Sequence, residues 1–120
     1  MVVNLLQAGF EVSVFNRTKE KEAPLLNAGA KSASSLQELM KTCDVVLTML
    51  SNDSAVKEVF EEPTCLLSKT NSGKTIINMS TVAPETSRYL NTICKQHHVH
   101  FIDAPASASV PLVIGVNGLI

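Results

Sequence analysis

The segment with the clearest chemical potential is the polar tip Asn16-Arg17-Thr18, which follows the β-branched stretch Glu11–Phe15. The planar guanidinium of Arg17 can bind a phosphate through two hydrogen bonds, and Thr18 offers a hydroxyl and a backbone N–H at the start of a helix. In a dinucleotide-binding fold, the end of the second strand meets the adenosine ribose, and an acidic residue there selects NAD. The basic tip therefore favours a 2′-phosphate, hence NADP. The alternative is a solvated arginine in a strand-to-helix turn.

A second group of potential ligands falls within seven residues: Cys94, His97, His98 and His100. Zinc sites usually combine such residues in matched pairs, but this cluster straddles a helix end and a strand start and has no second pair. Cys94 shares an apolar helical stripe with Leu90 and Ile93, which indicates a packed thiol rather than a nucleophile. We therefore expect no metal site.

The elements that must position these residues alternate between apolar and amphipathic stretches. Strands are predicted over Glu11–Phe15, Asp44–Leu50, Lys74–Met79 and His100–Asp103. Helices are predicted over 1–8, 19–28, 36–41, 53–60 and 84–97. The continuous apolar run Val45-Val46-Leu47 is typical of a strand covered on both faces. The alternation predicts an α/β domain with a mostly parallel sheet of about five strands.

Local signals refine two of these helices and one charged run. Pro24 removes a backbone donor, so the helix over 19–28 should start late or kink. Ser35, with Glu38 three residues later, matches a capping box that opens the next helix. The alternating charges of Lys19–Glu22 are most simply a solvated helix face.

Composition restricts the function classes. The chain has 120 residues and a mass of 12.9 kDa, which is enough for one domain with a hydrophobic core. Ten basic and eleven acidic residues give a net charge of −1, so no broad basic field favours nucleic acid. Three widely spaced cysteines indicate a reducing compartment. We expect the cytoplasm, or an organelle if a targeting segment has been lost. No apolar run is long enough for a membrane span.

Four motifs occur in order along nearly the whole chain: Met1–Gly9 with the Asn-Arg-Thr tip, Cys43–Leu50, Ile76–Pro84 and Phe101–Ser107. Together they resemble the β-hydroxyacid dehydrogenases, the family of 3-hydroxyisobutyrate dehydrogenase and the glyoxylate/succinic semialdehyde reductases. The resemblance implies a Rossmann-type, doubly wound sheet and an NADP-dependent oxidoreductase. Such an enzyme interconverts a β-hydroxyacid and its semialdehyde, and the intact parent would be a homo-oligomer.

The resemblance also implies roles for nine residues. Asn16, Arg17 and Thr18 would contact the adenosine 2′-phosphate. Met49 and Leu50 would place their backbone against the cofactor, and Thr81 would lie near the nicotinamide ribose and the substrate. The substrate carboxylate would be held by the segment that contains Ser107, Ala108 and Ser109.

Several departures from the family pattern qualify these roles. The printed sequence contains no G-x-G-x-x-G motif, so we expect residues 1–120 to be a partial domain without the glycine-rich loop and the first strand. That loss would leave two strand edges unpaired in the middle of the sheet. The catalytic lysine would belong to a helical domain outside the chain, so the chain alone should be inactive. The alternative function is a non-catalytic Rossmann-like interaction or regulatory module, which the missing loop and Ala108, at a family glycine position, both support.

Overall fold

The structure is a computed structural model that describes residues 2–61, 66–67, 73–105 and 112–117. Its helices are α1 (Val2–Gln7), a 3-10 helix (Lys19–Glu22), α2 (Ala23–Asn27), α3 (Leu36–Thr42), α4 (Asp53–Glu61) and α5 (Pro84–Gln96). Its strands are β1 (Glu11–Phe15), β2 (Lys31–Ser32), β3 (Val45–Met49), β4 (Thr75–Asn78), β5 (His100–Asp103) and β6 (Leu112–Asn117).

The six strands form one sheet in the order β2-β1-β6-β3-β4-β5. Strands β1 and β2 are parallel, as are β3, β4 and β5, whereas β6 runs antiparallel to both β1 and β3. The predicted α/β class with a mostly parallel sheet is therefore confirmed. Strands β1 and β5 have the predicted bounds, and β3 and β4 are each shorter than predicted by one residue at either end.

The prediction of two unpaired edges in the middle of the sheet is wrong. Strand β6 fills that position and pairs with both neighbours, so that Ile114 lies opposite Val14 on one side and Leu47 on the other. The sequence patterns predict about five strands but locate neither β2 nor β6. Strand β6 is buried from Val113 to Val116, and its backbone satisfies donors and acceptors that two open edges would leave exposed.

Helices cover both faces of the sheet, as a doubly wound fold requires. On one face, residues of α3, α4 and α5 pack on Val46, Ile76 and Val113. On the other face, α1 and α2 pack on a cluster that includes Val45 and Leu47. Strand β3 is thus covered on both faces, as its continuous apolar run predicts. None of the helices in the described ranges combines the length and apolar character that a membrane crossing requires.

Two helix starts follow the local signals. The Oγ of Ser35 accepts a hydrogen bond from the N–H of Glu38 at 3.0 Å and caps α3. The Glu38 carboxylate accepts instead from the hydroxyl of Ser34, and also from its N–H, and these bonds lower the pKa of Glu38. The segment over 19–28 starts as a 3-10 helix and becomes α-helical only at Ala23, with Pro24 in the first turn of α2. The predicted late start is confirmed.

Helices α4 and α5 are joined at their first turns by Asp53. Its Oδ2 accepts from the Thr86 hydroxyl at 2.6 Å and from the Ala83 N–H at 3.1 Å. The Thr86 hydroxyl, and then the Ala83 N–H, hold the pKa of Asp53 below its ordinary value. The ionised carboxylate therefore fixes the relative position of two helices that begin at the same edge of the sheet.

Gly115 tests the position of β6. A Cβ at this residue would lie 2.3 Å from the Sγ and 2.9 Å from the Cβ of Cys43. We expect Gly115→Ala to lower the free energy of unfolding by about 1–3 kcal/mol, measured by urea denaturation, because the methyl group overpacks the core. Cys43→Ala removes the closest atom. In the Cys43→Ala background, Gly115→Ala should therefore lower the free energy of unfolding by less than it does in the parent chain. Equal stability of Gly115→Ala and the parent chain would contradict the central position of β6.

The Asp53 interaction gives a pH-dependent prediction. Because folding lowers the pKa of Asp53, its ionised form stabilises the folded chain at neutral pH, and this contribution is lost as the pH falls through the lowered pKa. Urea midpoints of the parent chain and Asp53→Asn should therefore differ at about pH 7 and converge towards about pH 2. Glu20→Gln, at an exposed position, controls for the loss of any carboxylate. A parent–Asp53→Asn difference that stays constant with pH would contradict the assigned interaction.

Candidate functional site

The sheet brings most of the predicted site residues to one edge. Because β1, β3 and β4 run in the same direction, the residues that follow them lie at the shared carboxyl edge. Arg17 follows β1, Leu50 follows β3 and Thr81 follows β4. The chain turns to opposite sides of the sheet after β1 and after β3, and open α/β sheets bind ligands in the crevice at such a switch point. Here, β6 begins between these two strands.

The tip after β1 is a tight turn that its own asparagine organises. The Oδ1 of Asn16 accepts a hydrogen bond from the N–H of Thr18 at 2.9 Å, which is an Asx-turn. The backbone N–H of Thr18, which was predicted to bind a ligand, therefore donates its hydrogen bond to Asn16 within the turn. Thr18 itself is exposed and its side chain makes no capping hydrogen bond to the following helix.

Arg17 points across the crevice to α4. Its Nη2 lies 2.6 Å from the Oε2 of Glu58, and the two side chains remain 73% and 45% exposed. An ion pair this exposed contributes at most about 1 kcal/mol to stability. The guanidinium therefore lies at the carboxyl edge, partly in solvent, and pairs with a carboxylate that is not buried. Glu58 is absent from the predicted site, because no motif marks it on the amphipathic helix α4.

Lys19, the next cation of the tip, is held by the protein. Its Nζ lies 3.2 Å from the Oε2 of Glu22, 3.1 Å from the carbonyl oxygen of Ala33 and 4.6 Å from the centroid of the Phe15 ring. Glu22 is only 1% exposed and also accepts from the Ser32 hydroxyl at 2.9 Å. The reading of Lys19–Glu22 as a solvated face is therefore wrong at Glu22. The buried carboxylate binds Lys19 and so stabilises the turn that contains Arg17.

A buried polar network joins the ends of β3 and β4. The Oδ1 of Asn78 accepts from the Thr48 hydroxyl at 2.9 Å and from the Ser80 N–H at 3.2 Å. The Ser80 hydroxyl in turn accepts from the N–H of Leu50 at 2.8 Å. The side chains of Thr48, Asn78 and Ser80 are fully buried. The network sets the direction in which the chain leaves each strand, and it occupies the Leu50 N–H within the protein.

Asn78 retains one unsatisfied group. In the part of the chain that the structure describes, its Nδ2 has no hydrogen-bond partner. The amide orientation is set by the Ser80 N–H, which requires the oxygen on its side. The sequence signal for this network is modest: a single amide at the end of the apolar strand Thr75–Asn78.

Two further predicted residues, Met49 and Thr81, also lie at the carboxyl edge. Met49 ends β3, where it pairs with Leu112, and Thr81 is exposed directly after Ser80. Ser107, Ala108 and Ser109 lie outside the described residues. Cys94 is fully buried, and burial raises the pKa of its thiol to about 12, as expected for a packed cysteine. Within the described ranges, no group of three or more histidine, cysteine or acidic residues could hold a metal ion.

Comparison with known proteins adds to this geometry. Residues 1–112 match the family model described as the NAD binding domain of 6-phosphogluconate dehydrogenase. The chain is 36% identical over 109 residues to glyoxylate/succinic semialdehyde reductase 2, chloroplastic, of Arabidopsis thaliana. The matched region covers 91% of this chain and 30% of that protein. It is 33% identical over 112 residues to the cytokine-like nuclear factor N-PAC of Danio rerio, with 93% and 24% covered.

A solved structure has a similar fold. The structure of Psf3 in complex with NADP+ and 2-OPP superposes with a TM-score of 0.83 at 28% identity, covering 90% of this chain and 38% of that one. The chain therefore spans between about a quarter and two fifths of these relatives. By the residues matched and the order of its motifs, the chain belongs to the β-hydroxyacid dehydrogenase family and carries its NAD-binding domain of the 6-phosphogluconate dehydrogenase type.

Proposed function

We propose that the chain is the nucleotide-binding part of an NADP-dependent oxidoreductase that interconverts a β-hydroxyacid and its semialdehyde. The observation that carries the proposal is the exposed guanidinium of Arg17 at the carboxyl end of β1, in a chain of a nucleotide-binding family. A guanidinium at this place matches the second phosphate that distinguishes NADP from NAD. NAD is the less favoured cofactor.

The residues present fit the adenosine end of NADP. Arg17 supplies a charge-assisted, bidentate donor for the 2′-phosphate, while the Asn16 turn presents it together with the exposed Thr18. The pyrophosphate has no comparable match in these residues, because the printed sequence has no G-x-G-x-x-G motif and β6 begins at the crevice. In this proposal, recognition of the adenosine 2′-phosphate is the contribution of this chain to cofactor binding.

The remaining roles follow the family pattern. The bound cofactor would supply hydride transfer, while the protein contributes orientation and charge placement. Met49, Leu50 and Thr81 would border the cofactor, and Ser107, Ala108 and Ser109 would face a small hydroxyacid or semialdehyde. We propose that residues 1–120 form a partial dinucleotide-binding domain of a cytoplasmic homo-oligomer. The proton donor would be a lysine outside these residues, so the chain alone would be inactive.

A non-catalytic interaction or regulatory module is the second candidate. Two observations favour it: the similarity to a protein named a cytokine-like nuclear factor, and the position of β6 at the crevice where a dinucleotide would bind. This candidate predicts no preference for a nucleotide that carries a 2′-phosphate. Nucleotide binding therefore discriminates the two.

Binding of 2′,5′-ADP and 5′-AMP, measured by calorimetric titration of the 120-residue chain, tests the proposal, because these nucleotides differ only in the 2′-phosphate. We expect the chain to prefer 2′,5′-ADP. Arg17→Gln should lower that affinity by about tenfold or more, the usual effect of losing hydrogen bonds to a charged group, and leave 5′-AMP unchanged.

Arg88→Gln is the matched control, since Arg88 is an exposed arginine that pairs with a glutamate on α5. Its affinities should equal those of the parent chain. Equal affinity of the parent chain and Arg17→Gln for 2′,5′-ADP would refute the assignment of Arg17. If the parent chain itself showed no preference for 2′,5′-ADP over 5′-AMP, the second candidate would be favoured.

A further inference from the structure

We infer that Glu58 is a specificity-determining residue that competes with the adenosine 2′-phosphate for Arg17, an inference that rests on the proposed function. The Glu58 carboxylate lies 2.6 Å from the Arg17 guanidinium. A carboxylate and a phosphate both bind guanidinium through the same N–H groups. An incoming 2′-phosphate must therefore displace Glu58 before Arg17 can bind it.

The topology places this ion pair across the switch point. Arg17 lies two residues beyond β1, and Glu58 lies in α4, the helix that follows β3. Strand β6 is the only strand between β1 and β3 in the described sheet. The pair thus connects the two sides of the switch point, and its opening frees the guanidinium.

The other charges of the tip do not compete for this role. Lys19 is committed to Glu22, the Ala33 carbonyl and the Phe15 ring. The Glu22 carboxylate is buried beneath the turn and bound to Ser32. Among the ion pairs formed by the described residues, Arg17–Glu58 is the one that joins the β1 tip to α4. Removing the Glu58 charge therefore changes the state of Arg17 directly.

The exposure of the pair sets the size of the effect. Both side chains are exposed, Arg17 more than Glu58, so the pair is weak and the phosphate, with its greater charge, can displace the carboxylate. Glu58→Gln should raise the affinity for 2′,5′-ADP by roughly two- to fivefold, the range that a weak surface pair permits. The affinity for 5′-AMP should not change, because that nucleotide does not use Arg17.

The experiment is a double-mutant cycle on the 120-residue chain, with 2′,5′-ADP and 5′-AMP as probes in calorimetric titrations. It compares the parent chain, Glu58→Gln, Arg17→Gln and the double variant. The gain from Glu58→Gln should vanish in the Arg17→Gln background. Glu85→Gln, which removes an exposed carboxylate paired with Arg88, should leave both affinities unchanged.

The other outcomes are distinct. Equal affinities of the parent chain and Glu58→Gln for 2′,5′-ADP, with the preference for that nucleotide intact, would overturn the role of Glu58 and leave the proposed function standing. A fall in affinity would overturn it too, because Glu58 would then hold the guanidinium ready for the phosphate. A gain for both nucleotides would reduce the effect to general charge removal and refute the competition. Absence of a 2′-phosphate preference in every variant would refute the proposed function together with this inference.

Discussion

The backbone pairing of β6 with β1 and β3 is the interaction on which the rest of the structure depends. The parallel strands form two groups, β1 with β2 and β3 with β4 and β5, and among the described strands only β6 joins them. Without it, each group would expose an edge of unpaired N–H and C=O groups in the centre of the fold. Antiparallel pairing is a physical solution because a reversed strand offers the same donors and acceptors. The common direction of β1 and β3, and hence the shared carboxyl edge, depends on this one strand.

That edge combines a rigid part and an adjustable part. The buried hydrogen bonds of Thr48, Asn78 and Ser80 hold the exits of β3 and β4, where any unpaired polar group is costly. By contrast, Arg17 and Glu58 are exposed and weakly paired. A site of this kind keeps its framework constant while the charged groups exchange partners. The division agrees with a ligand that is recognised by its charge at the rim of the sheet.

Sequence patterns predict the parts of this fold that depend on local chemistry. The bounds of β1, the cap at Ser35 and the late start of α2 all follow from neighbouring residues. Strand β6 could not be predicted in this way, because its place depends on a vacancy between strands that are distant in the sequence. Glu58 was missed for a similar reason: helical periodicity indicates which face is buried, but not which loop an exposed side chain meets. Glu22 was predicted to be solvated, but it is buried, because Lys19 compensates its charge and the Ser32 hydroxyl donates a hydrogen bond to it.

The packing of Gly115 against Cys43 has a practical consequence. The Cys43 thiol is fully buried, and its pKa is raised mainly by that burial, so thiol reagents cannot reach it in the closed sheet. It becomes reactive when the packing around it opens. The alkylation rate of this sulfur atom therefore reports how often the centre of the molecule opens transiently.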